Sequence, residues 1–334
     1  MKGSHFYADA AIAELYAWFA EEAVGSSPTW QRLCEWIATD PAAEPLRERL
    51  DKLPGTKRQP NLFLGGLRFL DAPTEPGGAL LDWVGDHWPA LEQVILTRGT
   101  QTNEPGRCAP LLPALADLPG PLALIEIGMS AGLCLVPDRY AYRWLLPDGG
   151  VHTLGDGAPE LTCRIDTGQQ CESKPPLPET MPEIVWRAGI DLNPLDPADA
   201  EDARWLRALV WPDQPEREQR LATALDTAAG VPVTRVRGDL LAELPGLVER
   251  APAGATVVVF GSAVLAYLQR EDRQRYLDLV EGLGVQWIAN EGERVVPGVG
   301  ERAPAWDGPP SFVLSRDGVP LARTGPHGQY LSWL

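Results

Sequence analysis

Residues 121–133 read Pro121-Leu122-Ala123-Leu124-Ile125-Glu126-Ile127-Gly128-Met129-Ser130-Ala131-Gly132-Leu133. The run from Leu122 to Ile127 is short and nearly all apolar, the pattern of a parallel strand buried on both faces, and it ends in a glycine turn. A strand, a glycine turn and a following helix is where open α/β sheets bind ligands, and a helix is expected after Gly132. Runs of the same kind at 184–192, 231–236, 256–260 and 285–289 predict further strands, and helical patterns at 200–229, 240–250 and 272–282 separate them. This alternation predicts an α/β fold with a doubly wound, mostly parallel sheet. Near the end of the chain, Phe312 to Arg316, Asp317-Gly318 and Val319 to Arg323 read as a hairpin.

Working outward, residues 8–118 carry helical periodicity: Ile12, Leu15, Phe19 and Ala23 fall on one face, and Gly25 stands where a C-terminal cap belongs. Similar patterns at 29–38, 43–53, 61–70 and 78–96 are separated by Pro41, Pro54, Pro73 and Gly99. The predicted organisation is a helical cover region, 1–118, and a Rossmann-like domain, 119–334, with a turn-rich insertion at about 141–183.

The 334 residues carry a net charge of −17, with 44% apolar and 22% charged residues, so the chain can bury a sizeable core. The acidity is spread along the chain and no basic stripe stands out, which argues against nucleic acid as a partner. No stretch reaches the ~18 to 20 apolar residues of a membrane span, and no secretory signal is visible. The five cysteines, Cys34, Cys108, Cys134, Cys163 and Cys171, form no C-x-x-C pair, so a reducing, cytoplasmic setting is expected. His87, His152 and His327 lack metal-ligand spacing, no metal is predicted, and His5 is given no chemical weight. The twelve Trp are widely spread and read as packing residues.

Three chemistries fit the glycine turn to different degrees. A dinucleotide fingerprint needs glycines where Ser130 and Leu133 stand. A hydrolase elbow, G-x-S-x-G, fits the letters, with Ser130 as nucleophile and Asp307 and His327 as partners, but a helical region precedes it instead of several strands. The third is S-adenosylmethionine binding: Glu126 is the strand acid, Gly128 and Gly132 are two of three loop glycines, Ser130 replaces the middle one, and Ala131 keeps the loop small. Asp191 ends the second strand where a ribose diol needs a carboxylate, and Gly238-Asp239 ends the third, where an acid meets an adenine amino group. Each acid alone is more often a helix N-cap or a solvated turn residue, but their placement in series after the glycine turn favours a site. Asp191 follows Gly132 by 59 residues, far more than the roughly 20 of dinucleotide folds, which the insertion has to explain.

Thr100-Gln101-Thr102-Asn103-Glu104-Pro105-Gly106-Arg107, the stretches 126–133, 138–140 and 189–194, Trp205-Leu206-Arg207-Ala208-Leu209-Val210-Trp211-Pro212, and 259–268 and 287–291 resemble a bacterial family, the domain of unknown function 2332. Its members look like class I methyltransferases, so the resemblance implies a methyltransferase-type sheet with a final antiparallel strand. At Gly261, before Ser262, that pattern often has His, so a base acting from there in relatives is absent here.

Methyltransferases often cover the amino-acid end of their ligand with a segment placed like 100–107. Arg107 would clamp a carboxylate and Glu104 an ammonium, with Asn103 beside them; the alternative is an Asn103 helix cap and a surface Glu-Arg pair. Asn193 joins the cofactor-binding candidates. Ser262, Tyr267 and Glu291 are the candidate catalytic residues, Glu291 as a general base if desolvated, with core packing for Tyr267 and a plain turn for Glu291 as alternatives. The expected activity is S-adenosylmethionine-dependent methylation of a small molecule. The alternatives are a non-catalytic S-adenosylmethionine or nucleotide-binding protein and a serine hydrolase using Ser130.

Overall fold

A computed structural model of the chain describes residues 10–166 and 175–334; His5, Cys171 and the middle of the expected insertion lie outside the described residues. The helices are α1 (Ile12–Ala23), α2 (Pro28–Thr39), α3 (Glu44–Asp51), α4 (Pro60–Phe69), α5 (Gly78–Thr97), α6 (Cys108–Ala116), α7 (Ala200–Ala208), α8 (Pro215–Ala229), α9 (Leu240–Val248), α10 (Arg270–Leu283) and α11 (Val299–Arg302). The strands are β1 (Leu122–Ile127), β2 (Ala141–Leu145), β3 (Val151–Leu154), β4 (Glu160–Ile165), β5 (Ile184–Asp191), β6 (Thr234–Arg237), β7 (Thr256–Ser262), β8 (Gln286–Gly292), β9 (Phe312–Arg316), β10 (Val319–Thr324) and β11 (Tyr330–Trp333). The chain divides into two compact units, Met1–Thr102 with Asp199–Ala222, and Asn103–Ala198 with Thr223–Leu334.

The first unit is helical. α1 buries one stripe, Ile12, Leu15, Tyr16, Phe19, Ala20 and Ala23, as its 3.6-residue periodicity requires. Ser27 caps α2 by accepting from Trp30 N, with Pro28 in the first turn. Residues 199–222 fasten onto these helices: Asp213 accepts from Ser27 Oγ at 2.9 Å and Thr29 N at 3.0 Å, and Arg68 donates to the carbonyl of Val210. Phe69 meets Trp205 edge-on at 5.7 Å. The helix expected over 200–229 is two helices, because Pro212 removes a donor and Asp213 takes φ +70°.

The second unit holds one eleven-stranded sheet of order β3-β2-β4-β11-β10-β9-β8-β7-β1-β5-β6. It is a mixed, mostly parallel sheet, so the expected doubly wound sheet is corrected. β9 runs antiparallel to both β8 and β10, β10 antiparallel to β11, and β2 antiparallel to β3. The strands within 141–183 belong to this same sheet, since β4 pairs with β11 through Tyr330↔Arg164 and Leu331↔Ile165. The five strands β6-β5-β1-β7-β8 are parallel and step outward on both sides of β1. The expected hairpin is present as β9 and β10 around Asp317-Gly318.

One face of this parallel block packs Ile125, Ile127, Ala188, Ile190, Val259 and Ala289 against Leu244 and Leu247 of α9 and Tyr276, Leu277 and Val280 of α10. Strand side chains alternate and registered neighbours point the same way. Glu126 is level with Phe260 and Gly189, and Ser262 with Asn290, so Glu126, Asp191, Ser262 and Asn290 share the opposite face. Glu291 falls on the α10 side.

A second expectation fails at the glycine turn. Leu133–Leu135 and Pro137–Arg139 are single 3₁₀ turns, and no α-helix follows the loop. Pro137 disfavours helical geometry at Val136, which sits at φ −119°, ψ 42°. Moreover, Leu133, Cys134, Leu135, Val136 and Pro137 are all buried, so the segment has no polar face to offer solvent. Among the described residues, no helix is long and apolar enough to cross a membrane.

Candidate functional site

The loop after β1 has backbone donors that no strand partner can satisfy, and two side chains from distant segments supply acceptors. Asp191, at the end of β5, accepts from Ser130 N at 2.8 Å through one oxygen and from Asn193 N at 2.7 Å through the other. From the other side, Asn103 donates to Ser130 Oγ at 2.7 Å and accepts from Ala131 N at 3.1 Å. Ser130 thereby holds a left-handed φ of +49°, a conformation non-glycine residues adopt only when their surroundings impose it. Gly128 has φ +62°, and a Cβ there would lie 2.5 Å from Val264 Cγ2, so only glycine fits.

Behind the loop lies a buried charged cluster. Glu104 caps the 3₁₀ turn Pro105–Arg107 by accepting from Gly106 N at 3.0 Å. Arg107 donates to Pro326 O at 2.9 Å and Ser262 O at 3.0 Å. Neither is a surface group: Glu104 is 2% and Arg107 9% exposed. Glu126 is 7% exposed and its Oε2 has no hydrogen-bond partner. Burial pushes its carboxyl well above the usual range, the Cys134 thiol adds to this, and the Arg107 guanidinium opposes it.

At the ends of β7 and β8, Thr324 donates to Asn290 Oδ1 at 2.7 Å and Asn290 Nδ2 donates to Ser262 Oγ at 3.1 Å. This order of donors leaves the Ser262 proton to be given onward. Glu291 Oε1 accepts from Val264 N at 2.7 Å and Leu265 N at 2.9 Å, holding the turn in which Ala263 takes φ +58°. Its Oε2 is buried without a partner, and burial raises the carboxyl from 4.5 to about 7 against those two hydrogen bonds and Arg107. Tyr267 is 72% exposed, so it does not pack in the core, and Leu192 after β5 is 74% exposed.

Most of the residues singled out from sequence therefore converge on one end of the parallel block. Asn103, Ser130, Ala131 and Asp191 form one bonded loop assembly, and Glu126 and Gly128 precede it at the end of β1. Asn193 is tied to β6 by Arg237 Nη1 at 2.9 Å, and Gly238 N donates to Asp191 O at 3.0 Å. Gly132 turns the loop back with φ +73°. Asp239 is exposed and caps α9 through Leu241 N at 2.9 Å, the helix-cap alternative. Asn103 caps no helix. Glu291 faces away from Ser262 and serves the β7 turn. Sequence reasoning missed Thr324 and the Pro326 carbonyl, whose partners lie more than 30 and 200 residues away. It also missed that Cys108 and Cys134 each lie against the other's segment.

At Gly261 a Cβ would lie 2.6 Å from Ile127 Cγ1, so this chain has packed its core into the space a side chain would need. Ser130 Oγ is bonded to Asn103, not to a histidine. Among the described residues no group of three or more His, Cys, Asp or Glu is arranged to hold a metal ion.

A family model described as "Uncharacterized protein conserved in bacteria (DUF2332)" matches residues 13–333. The chain belongs to this family, and the family spans both units. No match was found among the curated proteins or the solved structures.

Proposed function

We propose that the sheet-bearing unit binds S-adenosylmethionine at the carboxyl ends of β1 and β5 and methylates a small-molecule acceptor. The observation that carries this reading is the Asp191 carboxylate bonded directly to the Ser130 amide at the strand where the parallel block changes direction. Such switch points are the ligand crevices of open α/β sheets. The finer likeness, to the class I methyltransferase sheet, is part of the same proposal.

The charge pattern favours this ligand over a dinucleotide. Phosphate sites use helix N-termini and avoid carboxylates, whereas this loop leads into 3₁₀ turns and is flanked by Glu126 and Asp191. S-adenosylmethionine carries no phosphate, and its sulfonium and ammonium suit an acidic crevice. The bound ligand would supply an activated methyl group on a cationic sulfur. Asp191 would hold the ribose hydroxyls with the lone pairs left after its two amide bonds, Arg107 the carboxylate, and Glu126 the ammonium. Ser262, its proton free to donate, and exposed Tyr267 would face the acceptor. Alignment and exclusion of water are the main demands of such a displacement. A serine-hydrolase reading lacks its base, since Asn103 occupies the Ser130 hydroxyl.

The test is a thermal-shift panel of S-adenosylmethionine, S-adenosylhomocysteine and NAD, run beside a fluorophosphonate probe. Stabilisation by the two sulfur nucleosides alone, with no adduct on Ser130, is expected. Stoichiometric labelling abolished by Ser130→Ala would replace this reading with the hydrolase.

A further inference from the structure

Cys108 opens α6 directly after Arg107, and Cys134 lies in the 3₁₀ turn directly after the glycine loop. The two thiols are near enough to perturb one another electrostatically. Each sulfur also lies against the other's segment: Cys108 Sγ is 3.8 Å from Leu133 O and Cys134 Sγ is 3.9 Å from Glu104 O. Neither is bonded into a disulfide, and neither has a part in the ligand-binding reading.

We infer that Cys108 and Cys134 are an oxidisable dithiol, in which Cys134 is oxidised by a peroxide and Cys108 closes the disulfide. The Cys134 thiolate attacks the peroxide: an S–O bond forms, the O–O bond breaks, and the departing hydroxide is protonated to water. Cys108 sulfur then attacks the sulfenic acid. The S–S bond forms, the S–O bond breaks, and a second water leaves with the Cys108 proton. The peroxide gains the two electrons that the dithiol loses.

The assignment of roles follows from the surroundings. Cys134 is 8% exposed and Cys108 is fully buried, so Cys134 is the less enclosed of the two. The neighbouring Cys108 side chain and the Arg107 charge hold the Cys134 thiol below the ordinary range against its burial. Burial instead pushes the thiol of Cys163 up to about 12 and that of Cys34 up strongly. The bond would tie the segment carrying Asn103, Glu104 and Arg107 covalently to the loop carrying Ser130, joining the two parts of the candidate site. Intracellular disulfides of this kind are usually transient and redox-sensing.

The experiment uses the intact reduced chain, titrated with hydrogen peroxide, then denatured, alkylated and mapped by peptide mass. A Cys108–Cys134 linked peptide should appear while Cys34 and Cys163 remain alkylated, with Cys134 lost at least about ten-fold faster than Cys34. In Cys108→Ser a sulfenic acid on Cys134 should be captured by dimedone, and in Cys134→Ser the Cys108 thiol should stay unmodified. Full alkylation of both residues at doses that oxidise the methionines would overturn the inference. So would a sulfinic acid on Cys134 without a link, or a link to Cys171 in place of Cys108. The wild-type map decides the matter even if a serine variant does not fold.

Discussion

Asn103 Nδ2 lies 2.7 Å from Ser130 Oγ while Asn103 Oδ1 takes the amide of Ala131, so one side chain fixes both the hydroxyl and the backbone of the glycine loop. In Asn103→Ala a buried amide loses its acceptor, which costs about 1 to 3 kcal/mol. The variant should melt several degrees lower, with faster amide exchange over residues 128–133. Unchanged exchange there would mean the loop is held by Asp191 alone.

The Gly261 packing gives a steric prediction. Gly261→His should destabilise the fold by roughly 1 to 3 kcal/mol, the range for overpacking a close-packed core. Ile127→Ala, which removes the atom 2.6 Å from the new Cβ, should recover part of that loss in the double variant. Simple additivity of the two losses in denaturant titrations would show that the two sites are independent.

Glu291 makes stability depend on pH. Its carboxyl binds a proton more tightly folded, at about 7, than at its ordinary 4.5, so the folded state holds more protons between those values. Stability from this group therefore falls as pH rises from 4.5 to 7 and is level above that. The span corresponds to about 3 kcal/mol. Glu291→Gln should flatten that part of the stability profile while keeping the Val264 and Leu265 hydrogen bonds. An equally steep fall in the variant would assign it elsewhere.

Arg107 separates the two ends of the proposed ligand. Arg107→Ala should weaken S-adenosylhomocysteine by roughly 10- to 100-fold, as expected for losing a charge-assisted carboxylate contact, and leave 5′-methylthioadenosine, which lacks the amino-acid end, unaffected. Equal weakening of both in calorimetry would mean Arg107 only braces Ser262 and Pro326.

The features legible in the sequence were local ones. The apolar run ending at Gly128 and the hairpin at Asp317-Gly318 are written in consecutive residues. The cap of α2 at Ser27 is as local. Features set by distant pairing were hidden: β4 joins β11 through residues 166 positions apart, and without the register Glu126 and Glu291 cannot be placed on opposite faces. The absence of a helix after Gly132 has a local cause in Pro137, which the glycine-turn pattern does not register. Residues 103–107 lay in the expected cover region, 1–118, yet they fold with the sheet unit. Only tertiary contact shows Asn103 turning to the loop and the two cysteines lying against each other's segments.

The most direct test of the ligand site is titration calorimetry of S-adenosylhomocysteine against wild-type protein and folded Asp191→Ala. Asp191 would accept two ribose hydroxyls by charge-assisted bonds, so its loss should cost roughly 2 to 4 kcal/mol, about 30-fold to nearly 1000-fold in dissociation constant. The account predicts binding by the wild type and that loss in the variant. No heat with wild-type protein, or the same affinity in both, would contradict it.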